Sequence, residues 1–383
     1  MNNFEFYNPV KIEFGKGAVE KLRELIPAGS KVMITYGGGS IKSNGVYSDV
    51  CKALEGFSYT EFGGIEPNPT YETLMQAVEK ARAFGVTFLL AVGGGSVLDG
   101  TKFIAAAIPF EGDPWTILKR AAVKTAIPMG TVLTLPATGS EMNSGAVISR
   151  KETKEKFAFS TPLTFPVFSI LDPEYTYSLP TNQIVNGTVD AFIHVMEQYL
   201  TYPSAALVQD YWAEGLLKAL VDLGPKALAN PTDYDVRSNL MWAATMALNG
   251  IIAVGVPQDW ATHMIGHELT ALHGLAHGET LAIVYPAMME VMFEQKKEKM
   301  AQYAERVWGI TEGGADERAR KSIAKTEEFF KSLGIKTHLK EYGIGNESFE
   351  TICTRFTERR WVKMGERGEL TPELVLEVLK KSL

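Results

Sequence analysis

The stretch HMIGHELTALHGLAH (263–277) holds four of the six histidines of the chain, namely His263, His267, His273 and His277. Upstream, Asp190 and His194 are four positions apart, so both side chains would project from one face of a helix. One carboxylate combined with imidazoles suits a divalent first-row metal ion. Because a catalytic metal keeps one position open, Asp190 and His194 leave room for only some of the downstream histidines.

Two pairs of downstream histidines satisfy this requirement. His263 and His267 share a helix face by their spacing of four. Alternatively, a helix from His263 to His273, stopped by Gly274, carries the chain about 15 Å away. Four extended residues then return about 13 Å, which brings His277 back beside His263 and leaves His267 as a pocket wall. Spacing alone does not rank the two pairs. We interpret His338 as a surface residue and leave His273 unassigned.

Two identical glycine loops each follow a predicted buried strand, Gly37-Gly38-Gly39-Ser40 and Gly93-Gly94-Gly95-Ser96. Glycine allows close approach of a ligand to the backbone, and helix N-termini after such loops bind phosphate. A third loop, 137–141, adds the hydroxyls of Thr138 and Ser140. The three loops predict a dinucleotide site without the G-x-G-x-x-G fingerprint. The structural alternative is a set of tight turns, with Ser96 and Asp99 at capping-box spacing.

The first of these loops also bears on the ribose of the cofactor. Sites for NAD usually offer an acid to the 2′-hydroxyl, whereas a 2′-phosphate repels an acid. The loop YGGGSIKSNG (36–45) contains no acid and supplies Ser40 and Lys42 instead. This composition favours NADP(H) over NAD.

The elements that must position these residues divide the chain near residue 180. Four short apolar runs precede this point, at 31–36, 87–93, 131–136 and 167–172. With an amphipathic segment at 71–84, they predict buried parallel strands alternating with helices, an α/β domain over 1–180. An all-helical domain is predicted over 181–383, with helices at 184–201, 204–222, 233–250, 258–273, 281–308 and 318–333. Leu223-Gly224-Pro225 is interpreted as a break, and EQKKEKM (294–300) as a solvated helix face.

Composition excludes several classes of partner. The net charge is −7 and no basic cluster occurs, which argues against nucleic acid and anionic membrane. We found neither a signal peptide pattern nor an apolar run of membrane-spanning length, and we expect a cytoplasmic protein. The two cysteines, Cys51 and Cys353, are interpreted as buried reduced thiols.

At these residues the chain resembles the iron-containing (group III) alcohol dehydrogenases, essentially from end to end. Within that family it most resembles the bacterial NADPH-dependent aldehyde reductases and butanol dehydrogenases. The motifs that carry the resemblance are FYNPVKIEFGKGAVEKL (6–22), PNPT (67–70), AVGGGSVLDGTK (91–102), LPATGSE (135–141), SILDPEYTYSLPTNQIVNGTVDAFIHVMEQ (169–198) and the histidine stretch.

The resemblance implies the two-domain fold of that family and of dehydroquinate synthase, and a homodimer in which the N-terminal strand joins the partner's sheet. It implies a metal held by Asp190, His194, His263 and His277, with His267 lining the substrate pocket as a candidate proton relay. Relatives that prefer NAD carry an acid at the position of Gly38. The implied cofactor-binding residues are Gly37, Gly38, Gly39, Ser40, Gly94, Gly95, Ser96, Asp99, Thr138, Ser140 and Lys156.

The implied activity is reduction of short-chain aldehydes, or oxidation of primary alcohols, with NADP(H) and one divalent metal. Fe²⁺ and Zn²⁺ suit the ligand set, as do Ni²⁺ and Co²⁺. One alternative is a sugar-phosphate lyase of the dehydroquinate synthase type. That enzyme needs clustered basic residues, but residues 184–277 contain only Lys218, Lys226 and Arg237. Further alternatives are polyol oxidation of the glycerol dehydrogenase kind and a binding protein without catalysis.

The acid-free loop leads to a first prediction. With an aldehyde that the enzyme reduces, kcat/KM should be higher for NADPH than for NADH, because no carboxylate repels the 2′-phosphate. Initial rates with each cofactor measure the ratio. A ratio of one or below would contradict the interpretation of residues 36–45.

Overall fold

The computed structural model describes residues 1–383, which form two compact units. The first, called here the sheet unit, comprises Tyr7–Pro180 and Pro231–Asn249. The second, called the helical unit, comprises Met1–Phe6, Thr181–Asn230 and Gly250–Leu383. The main division therefore lies after Pro180, with two short segments assigned across it.

Buried side chains explain why residues 231–249 belong to the sheet unit. Arg237 is buried, and its guanidinium donates to both the hydroxyl and the carbonyl oxygen of Thr176, at 2.8 Å each. Met241 packs into the core of the sheet unit, and the hydroxyl of Thr245 donates to the buried carboxylate of Glu141. These partners lie far away along the chain, so helical periodicity alone does not indicate them.

The sheet unit is built on six parallel strands and a separate antiparallel pair. Neighbouring strands of the large sheet follow the order β1-β8-β5-β4-β2-β3, and the small pair is β6-β7. The strands are β1 (Lys11–Phe14), β2 (Lys31–Tyr36), β3 (Ser58–Phe62), β4 (Phe88–Gly94), β5 (Met129–Leu135), β6 (Gly145–Arg150), β7 (Glu155–Ser160) and β8 (Phe168–Leu171).

The predicted parallel sheet is confirmed at its four central strands, which are β8, β5, β4 and β2. They are almost wholly buried because helices and loops cover both faces. The edge strands β1 and β3 were not predicted, because their half-exposed residues lack a continuous apolar run. The same unit contains helices α1 (Leu22–Leu25), α2 (Ser40–Ser43), α3 (Val46–Ala53), α4 (Tyr71–Phe84) and α5 (Gly95–Ala107).

The remaining chain is helical, and none of its helices is both long and apolar enough to cross a membrane. Only α8 belongs to the sheet unit. The helices are α6 (Thr181–Tyr199), α7 (Leu207–Ala229), α8 (Tyr234–Ala247), α9 (Ala261–His273), α10 (His277–Val291), α11 (Phe293–Arg306), α12 (Ala315–Ser332), α13 (Phe349–Glu358) and α14 (Pro372–Lys381).

The helices are divided differently from the prediction at two places. The expected break at residues 223–225 is absent, since α7 continues through Pro225. Gly224 allows close helix packing there, because a Cβ at this position would lie 3.0 Å from a methyl of Thr188. The single helix expected over 281–308 is two helices, α10 and α11, which meet at Met292.

The interpretation of EQKKEKM as a solvated face is wrong at two of its lysines. Lys296 and Lys299, both on α11, are only 4% exposed. Each ammonium is paired with buried or half-buried carboxylates, Lys296 with Asp259 and Lys299 with Asp210. A run of charged residues predicts a solvent-exposed helix face only when no residue distant in sequence pairs with those charges.

The two cysteines form no disulfide. Cys51 and Cys353 are half-buried rather than buried, which corrects the sequence-based expectation. The Cys353 thiol donates to the carbonyl oxygen of Pro372 at 3.4 Å, and burial raises the pKa of this thiol.

Candidate metal and dinucleotide sites

Helix α6 carries the first two candidate metal ligands. Asp190 and His194 lie one turn apart on its buried face, with Nε2 of His194 3.4 Å from Oδ1 of Asp190. The spacing of four residues therefore has the predicted consequence that both side chains point the same way.

Helices α9 and α10 bring two further imidazoles to the same carboxylate oxygen. Oδ1 of Asp190 lies 3.7 Å from Nε2 of His263 and 3.6 Å from Nε2 of His277. Helix α9 ends at His273 because Gly274 adopts the left-handed conformation, with φ of 73°. The chain then turns back, and His277 opens α10. The structure thus has the returning arrangement, in which His277 rather than His267 accompanies His263.

The geometry around Asp190 fits a metal ion. Two ligand atoms of a tetrahedral site, each about 2.0–2.1 Å from the cation, lie about 3.4 Å apart. The three imidazole nitrogens lie 3.4–3.7 Å from Oδ1 of Asp190. Ligand atoms of Asp190, His263 and His277 all fall within 4.8 Å of one another, and the His194 ring stacks on His263 at a centroid distance of 4.7 Å. Oδ1 of Asp190 and Nε2 of His263 are buried and have no hydrogen-bond partner in the protein.

The charges in this group favour an ionised carboxylate at Asp190 and a protonated imidazole at His263. Burial disfavours the Asp190 carboxylate, but the imidazoles of His194, His277 and His263 outweigh burial and hold its pKa well below the usual range. Burial likewise disfavours an imidazolium at His263. The carboxylates of Glu197 and Asp190 outweigh it and raise the pKa of His263 to about 9. A proton and a metal ion therefore compete for the same atoms.

Glu197 also contacts this group of residues, although no role was predicted for it from the sequence. Its Oε2 contacts Nδ1 of His263, and its Oε1 accepts a hydrogen bond from the backbone N–H of Thr262 at 2.7 Å. A carboxylate on the second ring nitrogen fixes the orientation of a metal-binding imidazole. A signal was present in the sequence, because Glu197 follows Asp190 and His194 at the spacing of one helix face.

His267 and Trp260 flank the group. The His267 ring lies 5.2 Å from that of His277 and 6.2 Å from that of His263, measured between centroids. Trp260 packs against His263 at 5.4 Å, and its indole N–H donates to Gln258 at 2.9 Å. His267, like His194, lies outside the group of ligand atoms formed by Asp190, His263 and His277. Nε2 of His194 nevertheless lies 3.4 Å from Oδ1 of Asp190. His273 lies elsewhere, with Nε2 2.8 Å from the hydroxyl of Ser348. His338 lies at the surface, as predicted, and is half-buried, with its side chain 43% exposed.

The three loops predicted to bind the dinucleotide follow β2, β4 and β5. These strands are neighbours in the order β5-β4-β2 and run parallel, so their carboxyl ends share one edge of the sheet. Ligands of open α/β sheets bind at such an edge. The structure therefore brings together Gly37–Ser40, Gly94–Ser96 and Thr138–Ser140.

The glycines of these loops have different physical reasons for lacking a side chain. A Cβ at Gly95 would lie 2.4 Å from Thr138, and one at Gly94 would lie 2.8 Å from Leu135. Packing therefore requires glycine at both positions. Gly39 has φ of 101°, which favours glycine by itself. Gly38 has neither constraint, since a Cβ there would meet no atom within 4 Å. The fold therefore does not require glycine at position 38.

Polar side chains of these loops are held by partners within the sheet unit. The hydroxyl of Ser140 donates to Oδ1 of Asp99 at 2.6 Å, and the N–H of Val147 donates to Oδ2 at 2.9 Å. Ser96 accepts a hydrogen bond from the N–H of Asn68 at 3.3 Å. Helix α5 has Gly94 as its N-cap without a side-chain cap, so the capping-box alternative for Ser96 and Asp99 is wrong.

Two buried lysines donate hydrogen bonds to residues near the carboxyl edge of the sheet. Lys102, which was not predicted from the sequence, donates to Ser140 at 2.8 Å, to Asn143 at 3.0 Å and to the carbonyl oxygen of Gly145 at 2.8 Å. Burial lowers the pKa of Lys102 to about 8, against the opposing effect of nearby Asp99 and Glu141. A single lysine followed by the apolar run FIAAA was its only signal. Lys156, on β7, donates to Asn68 at 2.9 Å.

A parallel sheet with glycine-rich loops at its carboxyl edge and a carboxylate–imidazole cluster on helices are the features expected of a metal-dependent nicotinamide oxidoreductase. Residues 9–173 match the family model described as iron-containing alcohol dehydrogenase, and residues 184–383 match the one described as Fe-containing alcohol dehydrogenase family, C-terminal. The chain belongs to the iron-containing alcohol dehydrogenase family.

Individual relatives agree with this assignment. The NADPH-dependent aldehyde reductase YqhD of Escherichia coli (strain K12) is 58% identical over 375 residues, covering 97% of each chain. The probable NADH-dependent butanol dehydrogenase 1 of Bacillus subtilis (strain 168) is 42% identical over 389 residues, covering 100% of each. The crystal structure of YqhD from E. coli K-12 matches with a TM-score of 0.99 and 55% identity, covering 100% of this chain and 99% of that one.

The comparisons confirm the predicted family, fold class and oxidoreductase class, and they favour this class over the sugar-phosphate lyase. Membership implies a nicotinamide cofactor and a metal ion. The individual ligand and cofactor-contact assignments stay predictions.

Competition between proton and metal leads to a second prediction. The pKa of His263, about 9, exceeds its ordinary value of 6.5, so the proton must be displaced by a cation at any pH below about 9. Apparent Zn²⁺ affinity, measured by competition with a chelator, should therefore fall as pH decreases from 9 to 6, by up to about tenfold per unit for one proton. Glu197→Gln removes a carboxylate that raises this pKa, and should move the decline to lower pH. Affinity that is constant between pH 6 and 9 would refute the assignment of His263 to the site.

The open space at Gly38 leads to a third prediction. A Cβ at position 38 would meet no atom within 4 Å, and the carboxylate of Gly38→Asp would repel a 2′-phosphate but accept a hydrogen bond from a 2′-hydroxyl. We expect the ratio of kcat/KM for NADPH to that for NADH to fall about tenfold or more, an effect of about 1.4 kcal/mol. Gly38→Ala is the control, since it adds a Cβ without charge and should leave the ratio near the wild-type value. An unchanged ratio in the aspartate variant would show that the ribose does not approach Gly38.

Proposed function

We propose that this protein is a metal-dependent, NADP(H)-linked aldehyde reductase or alcohol dehydrogenase. The observation that carries the proposal is the convergence of three imidazole nitrogens on one buried carboxylate oxygen. The sequence identity of 58% to an NADPH-dependent aldehyde reductase supports the same proposal. Short-chain aldehydes and the corresponding primary alcohols are the proposed substrates.

The sheet unit is proposed to bind the dinucleotide. Its contacts would be the predicted residues of the three loops together with Lys156. NADP(H) is favoured because the loop after β2 has no acid and because Gly38 leaves open space for a phosphate. Relatives include both an NADPH-dependent and a probable NADH-dependent enzyme, so family membership alone does not decide the cofactor.

The helical unit is proposed to hold the metal through Asp190, His194, His263 and His277. When bound there, a divalent ion supplies a Lewis acid for the oxygen of an aldehyde or alcohol. Three neutral imidazoles and one carboxylate leave the site with net positive charge, which favours negative charge on that oxygen. Fe²⁺ and Zn²⁺ are the proposed ions, and Ni²⁺ and Co²⁺ suit the same ligands.

The side chains around this site have separable roles in the proposed reaction. Aldehyde reduction takes up a hydride from NADPH at the carbonyl carbon and a proton at the oxygen. The His267 imidazole, beside His277 but outside the ligand cluster, is proposed to supply that proton. Glu197 holds His263 in place, and Trp260 forms an apolar wall next to His263 and His194.

A homodimer is proposed from the family resemblance. In this chain β1 is an edge strand of the large sheet, so one row of backbone groups is open to pairing. Sedimentation or light scattering measures the oligomeric state directly.

The fourth prediction tests the carboxylate at the centre of the site. Asp190→Asn keeps the shape of the side chain but removes its charge, so the purified variant should lose most of its bound metal and at least about 100-fold in kcat, within the range for one removed charge-stabilising group. Elemental analysis and NADPH oxidation with an aldehyde measure both effects. Asp172→Asn is the matched control, because Asp172 is a buried aspartate in the sheet unit that caps Glu174 and binds the N–H of Gly17. Full metal content in the Asp190 variant would refute the proposed site.

A further inference from the structure

A second group of buried charges lies in the helical unit around the ammonium of Lys296. Its Nζ is 3.1 Å from Oδ2 of Asp259 and 2.7 Å from Oε2 of Glu366, and it donates to the carbonyl oxygen of Leu200 at 2.9 Å. All three side chains are at most 8% exposed. The partners of Lys296 include none of the proposed metal ligands.

Asp259 links this group to the start of α9, the helix that carries His263. Its Oδ1 accepts a hydrogen bond from the N–H of Ala261, the first residue of the helix, at 2.9 Å. Glu197 accepts from the next N–H, that of Thr262, at 2.7 Å. Helix α9 has no side-chain cap from its own N-cap residue, Trp260. Two carboxylates from outside the helix therefore satisfy the N–H groups that a helix start leaves unpaired, where negative charge is also favourable.

The same two acids are joined to each other. The backbone N–H of Asp259 donates to the carbonyl oxygen of Glu197 at 2.8 Å, and Glu197 continues to Nδ1 of His263. Contacts thus run without interruption from Lys296 through Asp259 and Glu197 to a proposed metal ligand. Both acids also line a small cavity with Lys296 and Tyr285, whose buried hydroxyl has no hydrogen-bond partner in the protein.

Lys296 supplies the positive charge that this arrangement requires. Two carboxylates at the start of one helix repel each other, and the low dielectric constant of a buried setting strengthens that repulsion. The ammonium holds Asp259 from one side and is itself held by Glu366 and Leu200. Replacing a buried ion group by apolar residues of the same size often costs no stability, so stability alone does not account for this group.

We propose that Lys296 is a positioning residue of the metal centre. By holding Asp259 at the start of α9, it keeps Glu197 and the His263 imidazole in the orientation that a metal ion requires. The inference rests on the proposed metal site. It adds to that site a residue on α11 that contacts none of the proposed metal ligands.

The test compares metal affinity in charge-removing variants of the full-length protein. Lys296→Met keeps the length of the side chain but leaves Asp259 without its ammonium. The Zn²⁺ dissociation constant, measured by competition with a chelator, should rise about tenfold or more, as for other outer partners of metal-binding histidines. The visible spectrum of the Co²⁺-loaded variant should change as well, because the ligand field follows the orientation of His263.

Lys299→Met is the matched control. Lys299 lies on the same helix, has an equally buried side chain, and pairs with Asp210 at 2.6 Å rather than with the acids at the start of α9. It should lose a comparable amount of thermal stability but keep the wild-type Zn²⁺ affinity. If Lys296→Met does not fold, the double variant Lys296→Met/Glu366→Gln removes one charge of each sign, and it should show the same loss of affinity.

The outcomes separate this inference from the proposed function. If the wild-type protein binds Zn²⁺ and the Lys296 variant binds it with equal affinity, the inference is overturned but the proposed function is not. Equal weakening in the Lys299 variant overturns it too, because the effect would then be general loss of stability. A wild-type protein that binds no metal ion refutes the proposed site and this inference with it.

Discussion

The helical unit is organised around the buried carboxylate of Asp190, whose Oδ1 faces the Nε2 atoms of three histidines. Removing a carboxylate from water is costly unless positive charge or hydrogen-bond donors replace the solvent. One imidazole comes from the same helix, α6, and the other two come from α9 and α10. For both of these to reach one oxygen, α9 must end and the chain must reverse between them, which Gly274 permits in its left-handed conformation.

The groups that position the imidazoles also determine how strongly the imidazoles hold protons. Glu197 fixes His263 through Nδ1, and the same carboxylate helps to raise the pKa of His263 to about 9. A site that is well ordered for a divalent cation is thus also a good site for a proton. Concentrated negative charge increases affinity for both. Under the proposed metal site, orientation of His263 by Glu197, with Asp259 at the start of α9, would favour the metal ion over a proton.

Local patterns in the sequence predicted the features that depend on local rules. The central strands follow from continuous apolar runs, and the pairing of Asp190 with His194 follows from helical spacing. The stop at Gly274 allowed the return of His277 but did not select it. The missed features depend on partners distant in sequence. Lys296 reads as solvated because Asp259 and Glu366 are brought to it only by the fold, and residues 231–249 join the sheet unit through Arg237 and Thr176. The family resemblance supplied the choice between two histidine pairs that spacing left open.

In the sheet unit, identical glycine sequences serve different physical purposes. The loops after β2 and β4 share the tetrapeptide GGGS, but Gly94 and Gly95 lack side chains because Leu135 and Thr138 occupy the space. A side chain there would disturb the fold before it affected any ligand. Gly38 has open space and an ordinary backbone conformation, so the fold itself does not require glycine at that position. Under the proposed dinucleotide site, a substitution at Gly38 would therefore change the cofactor preference without a cost in folding. The relatives include an NADPH-dependent enzyme and a probable NADH-dependent enzyme.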